Sequence, residues 1–206
     1  MRPRCRKHLA AAALVIAGGL TLAACGGNDD SMSRMPGMGS SSSRTPSGSG
    51  NEMTAFNDAD VTFATEMIPH HQQAVEIAKL AETRAKSSKV KDLAMQIMGA
   101  QDPEIHTMSG WLTSWGKPVP EEVSGMDMSG SMPGMMSSDD MDKLMNGTGA
   151  EFDQMFLTMM IEHHQGAIEM AKTEQKDGMY ADAVALTKQI QTAQTDEIAT
   201  MQGLLG

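Results

Sequence analysis

The sequence predicts an all-α protein, a four-helix bundle built from two tandemly duplicated helical hairpins. Three observations predict it. First, Met67-Ile68-Pro69-His70-His71-Gln72-Gln73-Ala74 returns 93 residues later as Met160-Ile161-Glu162-His163-His164-Gln165-Gly166-Ala167. The same offset pairs Asp60 with Asp153, Phe63 with Phe156, Glu76 with Glu169, Gln101 with Gln194, Glu104 with Glu197 and Met108 with Met201, without a gap. Second, apolar residues recur at helical spacing in both copies, and no stretch shows sustained period-two alternation or a β-branched run. Third, each hairpin alone has a thin core, and its cheapest partner is the other hairpin, which gives a bundle with pseudo-twofold symmetry. Ala74, Ala78, Ala81, Ala167 and Ala171 permit close helix approach. Hairpins pairing in trans, as a dimer, are the alternative.

Residues 1–24 read as a lipoprotein signal peptide. Arg2, Arg4, Arg6 and Lys7 give it a positive start, and Leu9 to Leu22 form an apolar run too short to remain as a spanning helix. The run closes in Leu22-Ala23-Ala24-Cys25, which resembles a bacterial lipobox and makes Cys25 the expected lipidated N-terminus. An ordinary secretory leader is the alternative. Either places the chain outside the cytoplasmic membrane; the first anchors it by lipid at the cell surface or periplasmic side. Cys5 leaves with the leader, so no disulfide framework or thiolate metal site is expected. Four of the sixteen basic residues leave too, and twelve then face twenty-six acidic ones. Such a balance disfavours nucleic acid and anionic lipid as partners of the folded domain and suits cations.

Residues 25–57, rich in Ser, Gly, Pro and Met, read as a disordered tether. The bundle is expected over residues 58–205: repeat 1 over 58–115, a Met-rich linker over 116–149 and repeat 2 over 150–205. In repeat 1, Asn57 or Asp58 caps a helix running to about Ala85, and a second fits Ser88 to Trp115, stopped by Gly116 and Pro118. The linker is low in complexity, with room for a helical turn from Asp139 to Met145. In repeat 2, helices fit Ala150 to Lys176 and Met179 to Leu204.

A helical wheel at about 100° per residue orients the motif. Phe63, Met67, Ala74, Ala78 and Ala81 fall on one stripe with His70 and His71, while Gln72, Gln73 and Glu76 fall on the outward side. Both imidazoles therefore point inward, where their nitrogens need partners. Asp60 joins them. On the next helix Gln101, Glu104 and Met108 share the inner face with Ala94, Ile97 and Leu112, and Gln194, Glu197 and Met201 repeat the arrangement. His106 falls off the stripe and reads as a surface residue.

Two readings fit this inner polar set. One is architectural, with Gln and Glu satisfying the imidazoles and specifying how the hairpins dock. The duplication of the pairs favours the other, a metal site. Its candidate ligands are Met67, His70, His71, Met108, Met160, His163, His164 and Met201. Asp60, Asp153, Gln101, Gln194, Glu104 and Glu197 serve as outer partners or alternative ligands. Met67 and Met160 stand three and four residues before the histidines, so thioether and imidazole share a helix face. Thioether sulfur is soft and neutral and selects Cu(I), with silver as its mimic, over zinc, magnesium or calcium. Cu(II) on imidazoles and carboxylates also fits an oxidising compartment.

Of the 22 methionines, eleven lie in the two low-complexity stretches, where no core is expected to need them. They read as weak, multivalent Cu(I) capture, with compositional drift or an oxidant sink as alternatives. Pro69 sits inside its helix and is expected to kink it beside His70. Glu162 takes that place in the second copy, so unequal affinities are expected.

Phe63…Met67-Ile68-Pro69-His70-His71-Gln72…Ala74…Glu76…Ala78 and its copy Phe156…Met160-Ile161-Glu162-His163-His164-Gln165…Ala167-Ile168-Glu169-Met170-Ala171 carry a resemblance. Over residues 58–205 the chain is similar to the domain-of-unknown-function family DUF305, secreted or periplasmic proteins that include CopM-type copper-binding proteins. The resemblance implies a ferritin-like four-helix bundle that binds copper through Met and His in metal sequestration, buffering or tolerance.

Two rivals remain. A ferritin-like di-iron oxidase or peroxidase would want Glu-x-x-His on two helices, and three residues after Glu66, Glu104 and Glu162 stand Pro69, Thr107 and Gln165. A metal-free helical adaptor at the membrane surface would use the polar core only as architecture. No Ser-His-Asp set, phosphate loop or nucleotide fingerprint is present, and no enzyme activity is expected.

Overall fold

A computed structural model describes residues 55–121 and 132–206. The leader, Cys25, nearly all of the tether and residues 122–131 of the linker lie outside the described residues. Five helices follow in order: α1 (Asp58–Arg84), α2 (Ser88–Ser114), α3 (Ser138–Asn146), α4 (Gly149–Asp177) and α5 (Ala181–Leu205). No strand occurs among the described residues; one isolated bridge joins Ala85 and Gly149. The four long helices begin and end within two residues of the positions predicted.

The caps explain this agreement. The Asn57 side chain accepts from the Asp60 N–H and the Asp60 carboxylate accepts from the Asn57 N–H, a reciprocal box that starts α1. Gly116, at φ 67°, takes the left-handed conformation that ends α2. α1 runs unbroken through the buried Pro69.

α1 packs along α2, α4 along α5, and α1 against α4. Two carboxylates show how the repeats lock. Asp60, at the start of α1, accepts from the N–H groups of Met179 (3.1 Å) and Tyr180 (2.8 Å) in the α4–α5 turn. Asp153, at the start of α4, accepts from those of Lys86 (3.0 Å) and Ser87 (2.9 Å) in the α1–α2 turn. All three residues of each set are related by the 93-residue offset. Each copy thus holds the other's turn, which makes α1 and α4 antiparallel and docks both hairpins within one chain.

The core divides into two apolar clusters. One gathers Ala74, Ile77, Ala78, Ala81, Leu93, Ile97, Phe152, Phe156, Met160 and Met201; the other gathers Phe63, Ala64, Met67, Ile68, Met108, Leu112, Met170 and Ile190. Each fully buried Phe, Met, Leu or Ile contributes roughly 1.5–3 kcal/mol. Ala74, Ala78, Ala81, Ala167 and Ala171 lie in the core, as close approach requires.

The linker departs from expectation. Residues 132–137 form a strap across α1 and α4 that leads into α3, and Met132, Met136 and Leu144 are buried. Part of the linker methionine complement is therefore core, contrary to the reading that it had no core to fill. Gln73, predicted to face outward, is buried for the same reason. Its amide brackets Met136, donating to the carbonyl at 3.0 Å and accepting from the N–H at 2.9 Å. On α4, Gly166 occupies the position equivalent to Gln73, and a Cβ there would run into the Pro133 carbonyl. At Gly134, with φ 77°, an added Cβ would lie 2.7 Å from the Glu162 carbonyl oxygen.

Candidate metal centre

All four paired histidines are fully buried at the α1–α4 crossing. The rings form a chain: His71 to His70 at 6.5 Å between centroids, His70 to His163 at 3.8 Å, and His163 to His164 at 6.4 Å. The closest contact lies between the copies, where the pseudo-twofold relation puts the two inner imidazoles against each other with their planes tilted by 41°.

Hydrogen bonds fix the ring tautomers. His71 Nε2 donates to the Glu104 carboxylate at 2.7 Å and His164 Nε2 donates to Glu197 at the same distance. His70 Nε2 donates to the Pro133 carbonyl at 3.1 Å. In a neutral imidazole the other nitrogen is then an acceptor. Among the described residues, Nδ1 of His70, His71 and His164 has no hydrogen-bond partner, and neither ring nitrogen of His163 makes a bond of good geometry. One nitrogen pinned by a carboxylate or carbonyl and the other free is how metal-binding imidazoles are oriented.

The electrostatics keep those lone pairs available. Burial, followed by the neighbouring His71, pushes the His70 pKa down to about 3. Burial and then the neighbouring imidazoles hold His163 well below the usual histidine range. Both are neutral at physiological pH, the form a metal requires.

Met67, Met108, Met160 and Met201 are fully buried. Met67 and Met108 share one apolar cluster, Met160 and Met201 the other. Met67, His71, Glu104 and Met108 are thus brought together on facing turns of α1 and α2, and Met160, His164, Glu197 and Met201 on α4 and α5. Gln101 and Gln194 are buried, but both side-chain polar atoms of Gln101 and the Gln194 carbonyl oxygen have no partner among the described residues. They do not complete the imidazole network. Asp60 and Asp153 are engaged at helix ends, away from the histidines, because the backbone N–H groups of the opposite turn claim their oxygens. Among the described residues no three His, Cys, Asp or Glu side chains converge as a ready ligand set. A site here needs thioether donors. His106 is exposed, its Nδ1 on the Asp102 carbonyl at 2.7 Å.

Sequence reading missed the strap and Glu174. Glu174, fully buried on α4, has Ala81 as its counterpart, so duplication gave no signal for it. Burial and then the nearby Asp60 raise its pKa to about 8.

The family model for the domain of unknown function DUF305 matches residues 60–205. The chain belongs to the DUF305 family. A secreted DUF305 protein from Streptomyces coelicolor is 34% identical, with a TM-score of 0.64 over 71% of this chain and 91% of that one. A DUF305 fragment from Deinococcus radiodurans is 31% identical, with a TM-score of 0.66 over 73% of this chain and 97% of that one. CopM in its Cu(II)-bound form is 31% identical, with a TM-score of 0.63 over 71% of this chain and 95% of its own. CopM has also been solved with Cu(I) and with silver. No curated protein matches the chain. Among the described residues no helix is long and apolar enough to cross a membrane.

Proposed function

We propose that this DUF305 protein binds copper, Cu(I) foremost, outside the cytoplasmic membrane, and sequesters or buffers it in metal tolerance. The observation that carries the reading is the set of buried imidazoles with unpartnered Nδ1 atoms, three of them pinned through Nε2. A purely architectural polar core would satisfy those atoms, since a half-satisfied network costs more than an apolar one. His71 with Met67 and Met108, and His164 with Met160 and Met201, are the donors assigned to copper; Glu104 and Glu197 orient the rings. His70 and His163 stand between the two sets. The thioethers select Cu(I) and silver, in keeping with the metals held by CopM. In this reading the protein holds its cargo and turns over no substrate. The Glu104 and Glu197 oxygens that a di-iron centre would recruit already accept from imidazoles. Cys25 anchors the mature chain to the membrane by its lipid.

The test is anaerobic Cu(I) titration of the mature chain against a chromophoric chelator, beside Met67→Leu/Met160→Leu and His71→Ala/His164→Ala. The methionine variant conserves core volume and keeps the fold testable. Loss of tight binding in both, with helicity retained, is the expected result. Unchanged binding in both would move the copper to the linker methionines, and no binding by the parent protein would return the histidines to architecture.

A further inference from the structure

The strap and α3 cover only half of the outer groove between α1 and α4. Over the covered half, Leu80, Met141, Leu144, Met155 and Met159 pack against the core, and Arg84 reaches the Gly147 carbonyl. Among the described residues the other half is open, a cavity of about 360 Å³. The 93-residue offset makes the two halves equivalent, so their residues can be compared one to one. Met159 in the covered half corresponds to Glu66 in the open half, Ala81 to Glu174, and Arg84 to Asp177. At these three positions an apolar or basic residue on one side is a carboxyl group on the other, whereas Asp58 and Glu169 have Glu151 and Glu76 as counterparts. Five carboxyl side chains line the open half, Asp58, Glu66, Glu169, Glu174 and Asp177, and of these Asp177 is paired with the exposed Lys176 at 3.2 Å.

Glu174 supplies an independent pointer to a cation. It is 1% exposed, and neither carboxyl oxygen has a hydrogen-bond donor among the described residues. Its neighbour is the Asp60 carboxyl group, to which the protonated Glu174 carboxyl donates a hydrogen bond. A buried carboxyl crowded by another carboxyl needs a proton or a cation. Pro133 also lines this cavity, and its carbonyl is the acceptor of His70 Nε2. One peptide group thus separates the acidic cavity from the inner imidazoles.

We infer that the open half of the α1–α4 groove is the port through which the metal cation reaches the buried histidines. Its carboxylates concentrate the ion against the Pro133 strap. The inference rests on the copper reading and adds the route. Clefts of one sign raise cation on-rates by 10-fold or more, and salt suppresses the effect. The cation travels down the acidic wall, the Pro133 carbonyl yields His70, and the ion passes to the nitrogen and sulfur donors beyond. Carboxylates give up a soft ion readily to thioether and imidazole.

Stopped-flow uptake of Ag(I), in nitrate buffer and followed by tryptophan fluorescence, tests this on the mature chain. Glu66→Gln/Glu169→Gln removes two charges from the rim, and Glu82→Gln/Glu151→Gln removes two exposed ones elsewhere. Glu174→Gln probes the floor. The rim variant is expected to slow association about 10-fold at low salt, converging on the parent rate at high salt. Its dissociation rate should not change, and the control should shift less than about twofold. Equal slowing in rim and control variants, or none in the rim variant, would overturn the port alone. A parent protein that takes up no silver would remove both the site and the port.

Discussion

His70 in the first copy is held through Nε2 by the Pro133 carbonyl at 3.1 Å, whereas His163, its equivalent, has no good hydrogen bond at either nitrogen. The outer histidines show no such difference, since His71 and His164 meet Glu104 and Glu197 at the same 2.7 Å. The division follows the chain. Contacts made only by duplicated residues stay symmetric, and those involving the linker do not. One strap crosses a pseudo-twofold axis and can satisfy only one side of it. Gln73 clamps the strap where Gly166 merely makes room for it. The duplication therefore supplies two equivalent outer sets of His, Met and Glu, and the linker makes only the inner histidines inequivalent.

The largest effect expected from breaking this pattern is at the latches. Asp60→Ala removes a fully buried carboxylate that serves three backbone N–H groups and should cost about 3 kcal/mol. Asp153→Ala removes two half-exposed bonds and should cost about 1 kcal/mol. Urea unfolding of both checks the difference; equal losses would mean that burial of Asp60 contributes nothing.

Next come the symmetric pairs. Glu104→Gln and Glu197→Gln should each weaken copper binding about 10- to 100-fold, by similar factors, because each frees one Nε2–H from its carboxylate. Chelator competition that found only one of them important would break the equivalence of the outer sites.

The strap offers a contrast of smaller size. Gly166→Ala should destabilise by about 1–3 kcal/mol, because the new Cβ meets the Pro133 carbonyl. Gln73→Ala should cost about 1–2 kcal/mol, since it leaves the Met136 N–H and carbonyl without partners. Hydrogen exchange should then show faster opening at Met136 in both variants.

A further effect is pH-dependent and belongs to one copy. Glu174 binds its proton more tightly folded, with a pKa of about 8, than at its ordinary value of 4.5. The folded state then holds more protons than the unfolded one between those values. Its favourable contribution is full below about 4.5 and is lost as the pH rises through about 8. Glu174→Gln should flatten that decline in a series of thermal melts. His70 and His163 act in the opposite sense: their depressed pKa values favour the fold above about 6.5 and lose that contribution on acidification.

The long helices, their inward stripe and the paired donor sets were legible because helical period and exact duplication are local patterns repeated in one chain. His71 with Glu104 and His164 with Glu197 fell on facing inner stripes, so their pairing followed once the hairpins closed. The role of Asp60 was half legible. Its wheel position showed an inward carboxylate, but its partners are backbone groups about 120 residues away, and backbone N–H groups carry no sequence signature. Gln73 was misplaced because a wheel assumes solvent on one side, and the strap removed the solvent. Glu174 had no repeated partner to draw attention to it.

The sequence by itself determined the helices, the two copies and the identity of the candidate donors, because each depends on side-chain chemistry and short-range spacing. Only the tertiary structure decided which imidazole nitrogens are pinned, that His70 and His163 meet ring to ring, and which half of the α1–α4 groove stays open. Those outcomes depend on where one asymmetric linker settles on a nearly symmetric surface, through close backbone contacts such as those of Pro133 and Gly134 with α4, which no residue pattern encodes.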